Sequence, residues 1–143
     1  MAFHPEDRVV ASCSEDTSIK LWNLDDGGLI STMSCDSAVF SIDWHENRIA
    51  AGCRDGTIKV FDTQSGDRLS TVNVGSSVRS VAFSVDGTTV AAGCASGKVY
   101  FVDTTAGEIK SSLNVGYAFS RFSTRISVRA RPLFSRFSTR ISV

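Results

Sequence analysis

Three stretches of the chain say nearly the same thing. "SEDTSIKLWNLDDGGLI", "RDGTIKVFDTQSGDRL" and "ASGKVYFVDTTAGEI" each set a tight turn before a short alternating strand, and a second turn after it. A lone hairpin of that size is marginal in water, so each unit requires others beside it. The period follows from matching residues. Asn23, Asp62 and Asp103 close the three strands at steps of 39 and 41, and Phe3, Trp44 and Phe83 recur at 41 and 39. The pairs Ala11-Ser12, Ala51-Gly52 and Ala92-Gly93 mark the strand before each turn, and "NVG" at 73–75 returns at 114–116. A period near forty, with about four short strands in it, predicts a propeller array rather than a sandwich.

In the second repeat the pattern predicts strands near Val39 to Trp44, Arg48 to Cys53, Thr57 to Asp62 and Arg68 to Val72, with turns at "HEN", "RDG" and "TQSGD". Each turn holds the Gly, Asn or Asp that a reversal favours. Period-two alternation expects Ile58, Val60, Val81, Phe83 and Val99 inside. The third repeat follows from Val78 to Leu113, whereas the first starts at Met1, two residues before Phe3, with most of its inner strand missing.

"AFHPEDRVVASCSEDTSIKLWN" and "VRSVAFSVDGTTVAAGCASGKVYFVD" resemble the WD-repeat β-propeller family over residues 1 to about 116. The resemblance implies an all-β fold: a partial propeller of about three four-stranded antiparallel blades, its ring not closed. Its repeats would be about 1–34, 35–75 and 76–116, followed by a disordered tail at 117–143. The Gly-His dipeptide that usually opens a repeat is missing, with "CDSA" at 35–38 and "GSS" at 75–77 in its place. The family's Asp-His-Ser-Trp hydrogen-bond network is therefore incomplete. By resemblance its Asp falls on Asp16 and Asp55, with Ser96 as the third; its Trp survives as Trp22, with Phe61 and Val102 at the matching places.

The tail is different material. Arg121, Arg125, Arg129, Arg131, Arg136 and Arg140 stand beyond residue 116 with no acid among them, so the tail carries +6 and the repeat region −6. "FSRFSTRISV" occurs twice in it, at 119–128 and 134–143, identical at all ten positions. It lacks the Asp, Gly and Asn of a blade's turns, so a fourth blade is not expected. Two complete blades and one damaged blade are fewer than the four to eight of a closed ring. The chain is thus expected to be a fragment of a larger propeller or a truncated gene model, and to self-associate through open blade edges.

Chemistry is sparse. No apolar run approaches the ~20 residues of a membrane span, and no secretory leader is visible, so an intracellular setting, cytoplasmic or nuclear, is expected. Cys13, Cys35, Cys53 and Cys94 are separated by 22, 18 and 41 residues, which fits no zinc spacing; they read as small buried thiols. Asp25, Asp26, Asp67 and Asp86 fall in turns without the Asp-x-Asp-x-Asp order of a calcium loop. His4 and His45 both lie at turns, and neither a nucleophile elbow nor a phosphate-cradling loop is present. No catalytic, cofactor or metal site is assigned.

The pattern points instead to a non-catalytic scaffold that binds other proteins. The resemblance places the partner surface on the rim formed by the loops between the second and third strands and by the entries to the inner strands. The residues before the turn Asp, Glu15 and Arg54, with Ala95 before Ser96, would project there, and Phe40 and Arg79 would approach the same rim. Lys110 is expected on the opposite one. The alternative is nucleic-acid or anionic-membrane binding through the Arg-rich tail, where interleaved Phe and Arg could stack on bases and meet phosphates.

Overall fold

The computed structural model describes residues 1–4 and 6–115. The expectations placed on residues 117–143, including the six arginines and the binding alternative they carry, lie outside the described residues.

Among the described residues, twelve strands form three four-stranded sheets and there is no helix. The first sheet holds β1 (Ala2–Phe3), β2 (Val9–Cys13), β3 (Ser18–Asn23) and β4 (Leu29–Ser34). The second holds β5 (Val39–His45), β6 (Arg48–Cys53), β7 (Thr57–Asp62) and β8 (Arg68–Asn73). The third holds β9 (Val78–Phe83), β10 (Thr89–Cys94), β11 (Lys98–Asp103) and β12 (Glu108–Asn114). Neighbours in sequence are neighbours in each sheet, all antiparallel, and no sheet closes on itself. The first sheet's inner strand is two residues long where β5 has seven.

Alternation sets the faces. Val10 lies opposite Phe3 and Trp22, Ile49 opposite Trp44 and Phe61, and Val90 opposite Phe83 and Val102. Ala11, Ala50 and Ala91 are therefore the matching residues, which corrects the marker pairs read from sequence: Ala11-Ser12 corresponds to Ala50-Ala51, one place earlier. The slip matters because one residue along a strand is the opposite face.

Two interior layers result. One joins the first and second sheets through Ala11, Ile19, Leu21, Trp44, Ile49 and Phe61; the other joins the second and third through Ala50, Ile58, Val60, Val81, Phe83 and Val90. The five residues expected inside are all buried, Ile58 and Val60 at 1% exposure each. At the second junction the sheets meet so closely that a Cβ on Gly52 would lie 2.5 Å from Val78 Cγ1. A side chain there would force the two blades apart.

Candidate protein-interaction rim

The rim is built by turns that repeat with the blades. After β2, β6 and β10 the chain reverses through residues 14–17, 54–56 and 95–97. The reversal needs a left-handed residue, supplied by Gly56 at φ +90° and Gly97 at φ +87°. The first blade makes the same turn with Thr17 at φ +78°, a strained place for a β-branched side chain.

Backbone hydrogen bonds tie these turns to the connections between blades, the second and third turns to the entry of their own blade and the first to the start of the next. Val39 N–H donates to Ser14 O, Arg54 N–H to Ala38 O and Ala95 N–H to Ser77 O, at 2.9 to 3.0 Å. Asp55 N–H donates to Ser37 Oγ, Ser96 N–H to Ser76 Oγ, and Ser77 Oγ–H to Arg54 O. Sequences that replace the usual Gly-His opening thus act as hydroxyl clasps across the rim.

The turn aspartates fold back on their own strands. Asp16 accepts from Ser18 N–H and Oγ–H, and Asp55 from Thr57 N–H and Oγ1–H. The Ser18 hydroxyl and amide hold the Asp16 carboxyl below its ordinary range. For Asp55, burial pushes upward, but the Thr57 hydroxyl and amide together with Lys59 outweigh it and the net shift is down. Lys59 itself is 1% exposed; its ammonium donates to Thr57 Oγ1 at 2.6 Å and stands 3.7 Å from Asp36. A relay from Lys59 through Thr57 to Asp55 therefore anchors the second turn from inside. Sequence reading missed it because an alternating strand places Lys at the surface, and burial comes from the neighbouring blade.

Glu15 and Arg54 are exposed at their turns. Phe40 on β5 is half-buried, and exposed Arg79 on β9 lies across it, its Cζ 4.9 Å from the ring centroid. The structure therefore brings Phe40 and Arg79 into one contact across the blade junction, while Glu15 sits a blade away. Nearby, Arg68 donates to Asp36 at 3.3 Å and lies 5.9 Å over the Phe61 ring, a pair the sequence reading did not single out.

Trp22 keeps one link of the family network: its Nε1–H donates to Ser12 Oγ at 2.9 Å. At matching positions the second blade has Phe61 and Ala51, and the third Val102 and Ala92. Donor and acceptor were lost together, which leaves no unpaired polar group behind. Inside the rim, the Cys35 thiol is pushed well up by its hydrogen bond with Cys53 and by burial, while the same bond and the Thr57 hydroxyl lower Cys53. Cys53 and Cys94 are fully buried, and Cys94 is pushed up to about 11 by burial. The described residues hold no cluster of side chains suited to a metal ion.

The opposite rim is a brace. His45 Nε2 contacts Val85 O at 2.8 Å, Arg48 donates to Gly87 O and Thr104 Oγ1, and Lys110 donates to Thr89 Oγ1. His4 caps its own turn, accepting from Glu6 and Asp7 N–H, with its ring edge-on to Trp44. Both histidines serve turns.

Repeated four-stranded blades, hydroxyl-clasped turns on one rim and a surviving Trp–Ser bond define a propeller of the WD-repeat type. The chain belongs to that family: the model described as "WD domain, G-beta repeat" matches residues 1–23, 27–62 and 66–103. Among curated relatives, the Caenorhabditis elegans periodic tryptophan protein 2 homolog is 35% identical over 85 residues, covering 59% of this chain and 9% of that protein. The Saccharomyces cerevisiae COMPASS component SWD3 is 34% identical over 76 residues, covering 50% of this chain and 24% of that one. Eukaryotic translation initiation factor 3 subunit I of Drosophila mojavensis is 26% identical over 88 residues, covering 59% and 27%. The chain thus matches between about a tenth and a quarter of their length. Among solved structures, the WD40 domain of Toxoplasma gondii coronin aligns with a TM-score of 0.71 at 23% identity, covering 75% of this chain and 30% of that chain. The computationally designed Ika8 protein aligns at 0.74, also at 23% identity, covering 91% and 39%. These two likenesses bear on fold alone.

Proposed function

We propose that the chain is a non-catalytic binding element that holds protein partners in an assembly, through the rim that carries Arg54, Phe40 and Arg79. The observation that carries this reading is the Arg79 guanidinium set 4.9 Å over the Phe40 ring at a blade junction. A planar cation braced on an aromatic face is pre-positioned for a partner's carboxylate or carbonyl, and Arg beside an aromatic is a favoured hot-spot composition. Glu15, on the neighbouring turn, supplies an opposite charge to the same rim. Two relatives, by their printed names, are a component and a subunit of larger assemblies, which supports the scaffold reading and a cytoplasmic or nuclear setting.

The test is quantitative co-purification with the tagged chain. Phe40→Ala with Arg54→Ala should lower recovery of its bound proteins by roughly 30-fold, the effect of losing about 2 kcal/mol at a hot spot. Lys110→Ala on the opposite rim should leave recovery unchanged. Equal losses at both rims, with the fold intact, would remove this rim from the account.

Self-association is a second reading, favoured by Phe3, which is 66% exposed on the first sheet's leading face where Trp44 and Phe83 are buried. Phe3→Ser should reduce any concentration-dependent association seen by sedimentation. Association unchanged by that substitution would discard this face as the contact.

A further inference from the structure

The two blade junctions treat their cysteines differently. Register pairs Cys53 with Val39 and Cys94 with Val78, so Cys53 and Cys94 hold the same place, at the ends of β6 and β10. Cys35 N–H donates to Thr17 O and Val74 N–H to Gly56 O, so Cys35 and Val74 match as well, each just past the outer strand of the preceding blade. Cys35 and Cys53 lie in the apolar cluster of the first junction, Val74 and Cys94 in that of the second. The first junction thus has a pair of thiols where the second has a thiol and a valine.

Their surroundings differ too. Cys53 and Cys94 are both 0% exposed, so neither is nearer to water. Cys53 has its hydrogen bond with Cys35, the Thr57 hydroxyl and the buried Lys59 ammonium, which together hold its thiol below the ordinary value against the opposing push of burial. Cys94 has burial alone, which raises it. Tyr100 is the third blade's counterpart of Lys59, opposite Ala92 as Lys59 is opposite Ala51. The thiolate is the reacting form of cysteine, so equal burial leaves unequal reactivity.

We propose that Cys35 and Cys53 are an oxidation site, at which a hydroperoxide converts the pair to a disulfide that joins the exit of the first blade to the second. The peroxide reaches the pair by local opening of the connection at residues 35–38, where Asp36 is already exposed. The Cys53 thiolate attacks one peroxide oxygen: S–O forms as O–O breaks, and the leaving hydroxide becomes water with the proton that Cys53 released. The Cys35 sulfur then attacks the Cys53 sulfenic acid: S–S forms as S–O breaks, and the departing hydroxide leaves as water with the Cys35 proton. The two thiols lose two electrons and the peroxide gains them.

The link falls at the base of a rim clasp. Ser37 Oγ and Ala38 O, just after Cys35, accept from the Asp55 and Arg54 amides, just after Cys53. Oxidation therefore fastens the second turn covalently, whatever the rim binds.

The test treats the full chain with hydrogen peroxide, blocks the remaining thiols and maps links after trypsin, which cuts at Lys20, Arg48 and Arg54 and so puts Cys35 and Cys53 on separate peptides. A Cys35–Cys53 link should form within one chain, at a yield indifferent to dilution and reversed by dithiothreitol, while Cys94 stays a thiol. In the linked form the Arg54 and Asp55 amides should exchange about tenfold more slowly, and those of Ala95 and Ser96, at the matching turn, should keep their rates. Cys35→Val copies the second junction, so Cys53 should then react with peroxide as slowly as Cys94. Cys53 oxidised without a link, links to Cys13 or Cys94 formed as readily, or a link lost on dilution overturns the proposal. So does unchanged exchange at Arg54 and Asp55, or a Cys53 that keeps its rate in Cys35→Val. If that variant does not fold, the unsubstituted chain decides: equal peroxide rates at Cys53 and Cys94 overturn the proposal.

Discussion

The first and second sheets are built from the same repeat, yet they are not equally enclosed. Ile19 and Ile58 are buried in both, but Lys20 and Trp22 are only half-buried where their counterparts Lys59 and Phe61 are at 1% and 2%. The sequences differ little there; the neighbours differ. Among the described residues, the second sheet has a blade on either side and the first has one on its trailing side. A blade's rigidity is therefore a property of its junctions, and the rim inherits it through the clasps between turns.

The comparison breaks most visibly in the cores. Ile58→Ala, at the second junction, should cost roughly 2–5 kcal/mol, while Phe3→Ala on the exposed leading face should stay within about 0.5 kcal/mol. Urea midpoints of the two variants check this, and equal shifts would mean that the leading face is packed. Next in size is Gly52→Ala, whose Cβ would meet Val78 at 2.5 Å; overpacking of this kind costs about 1–3 kcal/mol. Gly66→Ala has nothing within 4 Å but sits at φ +77°, so it should cost about 1 kcal/mol through backbone strain alone. A smaller loss from Gly52→Ala than from Gly66→Ala in the same denaturation series would show that the junction is loose.

Ser12→Ala removes the acceptor of the Trp22 bond and should cost about 1 kcal/mol, whereas Phe61→Trp in the second blade should bring no gain, since Ala51 offers no acceptor. Thermal midpoints measure both. The smallest effect is in acid. The Ser84 hydroxyl, then the Thr88 amide and hydroxyl, lower the Asp86 carboxyl from 3.8 to about 2. A carboxyl lowered by folding contributes stability in full above its unfolded value and loses it as pH falls through the folded one. Asp86→Asn should therefore lower the midpoint at neutral pH and flatten the acid limb between about pH 4 and 2, where the two forms converge. Titrating the unfolding midpoint of both forms tests the sign.

Much of the fold is legible because strand alternation and turn chemistry are local. Thr57–Asp62 and Arg48–Cys53 fall within the bounds that the sequence pattern implies, since "RDG" and "HEN" stop the strands on either side. The rim is less legible. Phe40 and Arg79 could be placed near one another only by analogy, because 39 residues separate them and their contact depends on how two blades pack. Lys59, Arg68 and Asp36 were invisible for the same reason. The Ser12–Trp22 bond did leave a signal, the joint change of both positions to apolar residues in the later repeats.

Native-state hydrogen exchange tests the central claim most directly, because it reads junction strength amide by amide. The strongest protection is expected in β6, β7 and β10, matched on the rim by the clasped amides of Arg54 and Ala95, with β1 and β2 exchanging first. Protection that is uniform across the three sheets, or greatest in the first, would contradict it.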